Sequence, residues 1–139
     1  MDGDTGRLKF NAITDLNATF TGSVKGITDR EDATDIVYQA KSTRNLKFKK
    51  DLTNSTFNMT QAFDPNDTQA RVTNSFKVSQ TMHNVQLHAN THLGAIEARL
   101  MFNSVIRAGI DDALASNQLP AVAADFALDV EITSFKISG

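Results

Sequence analysis

From Leu8 to Ala89 the apolar residues recur at every second position, in short runs broken by polar turns. That period puts one face of each run on a core and the other in water, the mark of half-buried β-strands. The clearest run is Asp15 to Ile27, where Leu16, Ala18, Phe20, Gly22, Val24 and Gly26 alternate with Asn17, Thr19, Thr21, Ser23 and Lys25. Glycines at 22 and 26 imply a bend or the close approach of another element. Further runs are centred on Leu8–Phe10, Ile36–Ala40, Leu46–Phe48, Phe57–Phe63, Val72–Val78 and Val85–Ala89, with a strong turn at Asp64-Pro65-Asn66. Polar turns every 10 to 14 residues suggest an antiparallel meander of about seven strands. The sequence shows no low-complexity tract, linker or convincing internal repeat.

The stretch from Thr91 to Asn117 breaks this rhythm. At 100° per residue, Ala98, Met101, Phe102, Val105, Ile106, Gly109 and Ala113 share one arc, which predicts an amphipathic helix. Asn90 or Thr91 caps its start, and Asn117 with Pro120 ends it. Ile96 and Leu100 project into the polar side, so the first half meets a second layer, a ligand or a partner. After the helix, Phe126, Leu128, Val130 and Ile132 alternate as a closing strand, and the phase then flips to Phe135 and Ile137. Such a flip signals a bulge or a change of packing environment. The expected fold is therefore α+β, one domain over residues 1–139, with a curved antiparallel sheet wrapped around one long C-terminal helix.

Charge and composition exclude several functions. A net charge of −2 argues against non-specific nucleic-acid binding. With no cysteine there is no disulfide, thiol chemistry or cysteine metal site. His83, His88 and His92 form no compact ligand set, so neither metal nor cofactor is expected. No nucleophile with an identifiable base, P-loop or dinucleotide fingerprint occurs, and Asp111 and Asp112 diverge on a helix, so no enzyme is expected. The start MDGDTGRLKF lacks a signal peptide's regions, so the chain is either cytosolic or a mature segment of a longer protein, and it reads as the second, a cut into a polar loop. Sequons at Asn17, Asn54, Asn58 and Asn66 lean towards secretion.

The densest basic segment holds Lys41, Arg44, Lys47, Lys49 and Lys50. Lys47 and Lys49 share a strand face and form a positive ridge. Either it meets anionic lipid head groups at a membrane surface, or sulfated glycans, or it guards an edge strand against aggregation.

Residues 84–138, NVQLHANTHLGAIEARLMFNSVIRAGIDDALASNQLPAVAADFALDVEITSFKIS, run strand, helix, short Leu119-Pro120 element and apolar strand. In that order of parts they resemble the C-terminal segment of tubular lipid-binding (TULIP) domains, such as bactericidal/permeability-increasing protein. Halves of that family are longer and often carry a disulfide. The resemblance implies a tubular cavity for acyl chains, lined by Phe20, Phe57, Phe76, Ile96, Leu100, Met101, Phe102 and Ile106. The expected function is non-enzymatic binding of a lipid or other hydrophobic small molecule between sheet and helix. The alternative is a structural or interaction module that docks a partner chain, or a second copy, through the helix or a strand edge.

Overall fold

The computed structural model describes residues 4–67, 70–109 and 130–139, and these hold strands and no helix. The strands are β1 (Thr5–Phe10), β2 (Ile13–Thr19), β3 (Ser23–Asp29), β4 (Ala33–Ala40), β5 (Ser42–Thr43), β6 (Asn45–Phe48), β7 (Leu52–Met59), β8 (Arg71–Ala89), β9 (His92–Phe102), β10 (Val105–Ala108) and β11 (Ile132–Ile137).

Every pairing among them is parallel, which overturns the antiparallel meander. In the first coils each strand pairs with the next but one, β1 with β3 and β2 with β4, and where consecutive strands pair, β7 with β8 and β8 with β9, they too run parallel. The chain therefore winds as a solenoid, each coil lying on the one before it. One face of the coil stacks β1, β3, β5 with β6, the start of β8, the start of β9, and β11. The other stacks β2, β4, β7, the end of β8, and β10. The 19-residue β8 bends from one face to the other and makes them a single sheet rolled into a nearly closed tube.

A structural repeat is thus present after all. Hydrogen bonds join side chains 19 residues apart at Ser42–Ser23, Lys50–Glu31 and Arg99–Gln80, and 30 apart at Asn84–Asn54, where the turn at Asp64–Asn66 lengthens one coil. What repeats is the conformational role of each position. Asp15, Asp35, Asn54, Asn84 and Asn103 all have positive φ, from 45° to 55°, at one corner of successive coils. Asn and Asp tolerate this left-handed geometry better than other side-chain-bearing residues. Asn84 Nδ2 donates to Asn54 Oδ1 at 2.9 Å, and Asn103 Nδ2 to Asn84 Oδ1 at 3.5 Å. Beside them Ser55 and Ser104 accept from the amides of Ile36 and Val85 in the preceding coil.

The corners explain why a helix was expected from residue 91 and is not found. At a corner, inward residues lie three apart: Val24 and Ile27, Thr73 and Phe76, Leu93 and Ile96, Ile132 and Phe135. Threes mixed with twos imitate a 3.6-residue period across Leu93, Ile96, Ala98 and Met101. The stretch is instead β9 and β10, whose backbone bonds run to β8 and β11. The phase flip before Phe135 is this same corner. The latter part of the expected helix, Asp111, Asp112, Pro120, and the strand from Phe126 to Leu128 lie outside the described residues.

Inward columns are apolar: Leu8, Ile27, Leu46, Phe76, Ile96 and Phe135 in one, and Ala18, Tyr38, Phe57, Leu87 and Ile106 in another. Five rings chain through the interior, from Phe20 through Tyr38 and Phe57 to Phe76 and Phe48, with centroids 5.3–6.0 Å apart. The Tyr38 hydroxyl, buried and 2.7 Å from Thr43 Oγ1, has its pKa pushed up to about 12 by burial. Among the buried polar residues one is a carboxylate. Asp29 is fully buried between Phe10 and Phe48, and its carboxylate has no hydrogen-bond partner of good geometry.

Candidate ligand-binding face

Side chains that alternate with the inward columns form outward columns, and successive coils set their members about 4.8 Å apart. On the β1–β11 face one column reads Lys9, Thr28, Lys47, Lys77, Glu97, Lys136. The next reads Arg7, Gly26, Asn45, Ser75, Ala95, Ser134. Beyond it, at the corner, Lys25 and Arg44 are exposed in neighbouring coils. A strip of small residues thus runs along the solenoid axis with cations on both sides.

Gly26 is small for a reason: a Cβ there would stand 3.1 Å from the Asn45 carbonyl oxygen. Gly94 is stricter, because its Cβ would fall 2.2 Å from the Asn74 carbonyl oxygen. The close approach expected of Gly26 is therefore the approach of the next coil.

Cations in this face are partly matched. Lys77 Nζ lies 2.8 Å from Glu97 Oε2, which holds the Glu97 carboxyl below its ordinary pKa. Lys9, Lys25, Lys47 and Arg44 make no side-chain hydrogen bond or ion pair with any described residue. Lys47 and Lys77 stand directly opposite one another, a like-charge pair that a sheet ordinarily disfavours.

At the corner the face opens into a groove of about 330 Å³ lined by Lys25, Ser42, Arg44, Arg71 and Asn74, with Asp4 at one end. Arg71 is fixed by Glu131, 3.2 Å away, and by Thr133 Oγ1 at 2.8 Å. Ser42 donates to Ser23 at 2.9 Å, and Asp4 accepts from the Ser23 amide. Three cations from three coils, with hydroxyl and amide groups among them, can bind an anion and the hydroxyls beside it.

The expected head-group residues Lys47 and Lys49 are both exposed, on either side of buried Phe48. The strand carrying Lys47 is no edge: β6 lies between β3 and β8. Protection of a strand edge therefore does not account for these lysines. Their companions Arg7, Lys9, Lys25, Lys77 and Lys136 are scattered in sequence and meet only through coil stacking.

The expected cavity-lining residues divide. Phe20, Phe57, Phe76 and Ile96 are buried among other core side chains, and Met101 and Ile106 are half-buried against them. Leu100 and Phe102 point outwards, so Ile96 and Leu100 form no joint patch. A cavity between sheet and helix has no counterpart among the described residues. His83 is exposed, whereas His92 is buried, accepts the Glu131 amide at Nδ1 and stacks on Phe63. Among the described residues no His or carboxylate cluster could hold a metal ion.

In comparisons with known proteins the chain matches no family model, and no curated protein or solved structure proved similar to it.

Proposed function

We propose that this protein is a non-enzymatic interaction module that docks its cationic sheet face onto an extended anionic polymer. The observation that carries the reading is the registration of cations from successive coils on one face of a chain whose net charge is −2. A rigid solenoid holds those charges at a fixed repeat, so a straight polyanion meets them without ordering the protein. The mechanism is passive. Ion pairs form along the strip, counterions leave, and affinity falls as salt screens the face.

Retention on immobilised heparin tests this. The protein is expected to bind at low ionic strength and to elute as sodium chloride rises. A Lys9→Gln/Lys47→Gln/Lys77→Gln variant is expected to elute at clearly lower salt, and Lys50→Gln, on a side chain already tied to Glu31, to elute with the parent. Passage of the parent protein through the column at low ionic strength would overturn the proposal.

A further inference from the structure

Resting on that reading, we infer that the polymer is a linear glycan bearing carboxylate or sulfate groups, and that one such group is anchored in the corner groove by Lys25, Arg44 and Arg71. Three features of the groove and strip select this chemistry.

First, charge alternates with neutral hydrogen-bonding groups. Ser42 and Asn74 sit among the cations of the groove, and Asn45 and Ser75 lie in the strip beside it. Hydroxyls and amides both donate and accept, which suits sugar hydroxyls lying between acidic substituents. Second, no aromatic ring among the described residues lines the groove. Single-stranded nucleic acids are held by base stacking on such rings, so a phosphate chain would be gripped only by its backbone. Third, the cations flank a recessed strip: Gly26 is buried, and Asn45 and Ser75 half-buried, between exposed Lys25 and Arg44 on one side and exposed Lys47 on the other. A single narrow chain fits that relief better than the broad surface of a bilayer.

Within the groove the cations have different parts. Arg71 is held in place by Glu131 and Thr133, and the Glu131 carboxylate answers its charge there. Arg44 and Lys25 carry charge that no described residue answers, on neighbouring coils whose backbones lie about 4.8 Å apart. Asp4 closes the N-terminal end and sets a direction, because an anion is repelled from that end. Arg44, with its planar fork, is the residue suited to grip two oxygens of one carboxylate or sulfate.

The test is isothermal titration of the whole chain with an octasaccharide of alternating uronate and sulfated hexosamine. Arg44→Gln is expected to weaken binding about tenfold, the worth of one charge-assisted bond. Arg44→Lys is expected to recover only part of it, since the fork is lost. Thermal melting of each variant checks that the fold is kept, and Lys25→Gln provides a second, more exposed probe of the same groove. Three results would overturn the inference, each differently. If the parent binds and Arg44→Gln and Lys25→Gln bind equally well, while Lys47→Gln weakens binding, the polymer lies on the face but is not anchored in the groove. If single-stranded DNA or phosphatidylserine vesicles compete as well as the octasaccharide at equal charge, the ligand class is wrong. If the parent binds none of these, the reading of the whole face fails with it.

Discussion

The two sheet faces share one backbone, one coil length and one core, yet their outer surfaces differ. Outside β2, β4, β7, the end of β8 and β10, one column reads Asn17, Val37, Thr56, Gln86, Val105 and its neighbour Thr19, Gln39, Asn58, His88, Arg107. Charge there is confined to Arg107 and to Asp15 and Asp35 at the corner. The opposite face carries Arg7, Lys9, Lys25, Arg44, Lys47, Lys77 and Lys136 in outward positions, with Glu97 the one acid in their columns. The neutral face shows that neutral polar and β-branched residues suffice to cover such a sheet. The cations opposite add like-charge repulsion that the fold does not require. The proposed polyanion would account for that contrast.

The comparison is broken altogether by removing what the faces share. Phe57 contacts rings on both sides of the core, Tyr38, Phe48 and Phe76, and is fully buried. Phe57→Ala is expected to cost about 3–5 kcal/mol through lost burial and the cavity left behind. Urea unfolding measures it, and a cost below about 1 kcal/mol would mean that the interior is not close-packed at this ring.

Next in size is a break confined to the cationic face. Gly94→Ala places a methyl carbon 2.2 Å from the Asn74 carbonyl oxygen, a clash with backbone that no rotamer relieves. A loss of about 3 kcal/mol is expected, and about 1 kcal/mol for Gly26→Ala, whose nearest atom is 3.1 Å away. The ranking, read from urea midpoints, is the discriminating result. Equal effects would show that the coils can separate at Gly94.

These side chains also show how far the sequence was legible. Alternation located most strands, and the turn at Asp64-Pro65-Asn66 is where composition put it, with the Asn66 amide bonded to Asp64 Oδ1 at 2.8 Å. Direction was not legible, because a parallel and an antiparallel strand alternate alike; only the partner differs. The asparagine and aspartate at 15, 35, 54, 84 and 103 did carry the coil period, but a backbone role shared by two residue types leaves little trace in identity. The helix expected from Thr91 failed because corners insert spacings of three. Of the candidate site, Lys47 and Lys49 were visible as neighbours. Lys9, Lys25 and Lys77 were not, since sheet pairing joins them across 19 or 30 residues.

A smaller effect comes from the interior beneath the cationic face. Burial pushes the Asp29 carboxyl above its ordinary pKa, the amides of Arg30 and Ile13 pull it back only in part, and Glu31 and Asp32 add to the rise. A carboxyl whose folded-state pKa exceeds its unfolded one opposes folding while ionised. It withdraws stability at neutral pH and returns it as pH falls through the folded value. Asp29→Asn should therefore be more stable than the parent at pH 7, because a neutral amide is spared the cost of burying a charge. The gap should narrow in acid and close below the unfolded carboxylate pKa. A variant less stable at pH 7 would instead reveal a partner for the ionised form.

The smallest expected effect bears most directly on the difference between the faces. Lys47 and Lys77 are replaced by Thr and Gln, copying Thr56 and Gln86 in the equivalent register of the neutral face. If the cations serve the fold, through the Lys77–Glu97 pair or by covering the strip, the Lys47→Thr/Lys77→Gln variant loses stability. If they serve a ligand, the variant keeps its urea midpoint, or gains up to about 0.5 kcal/mol as repulsion between the two ammonium groups is relieved. Added salt separates the cases further. It should stabilise the parent slightly by screening Lys47 from Lys77, and should leave the variant unmoved. A neutral substitution that lowers the salt at which the protein leaves heparin while leaving unfolding unchanged assigns the lysines to binding, because a Thr–Gln pair already covers the equivalent register of the opposite face.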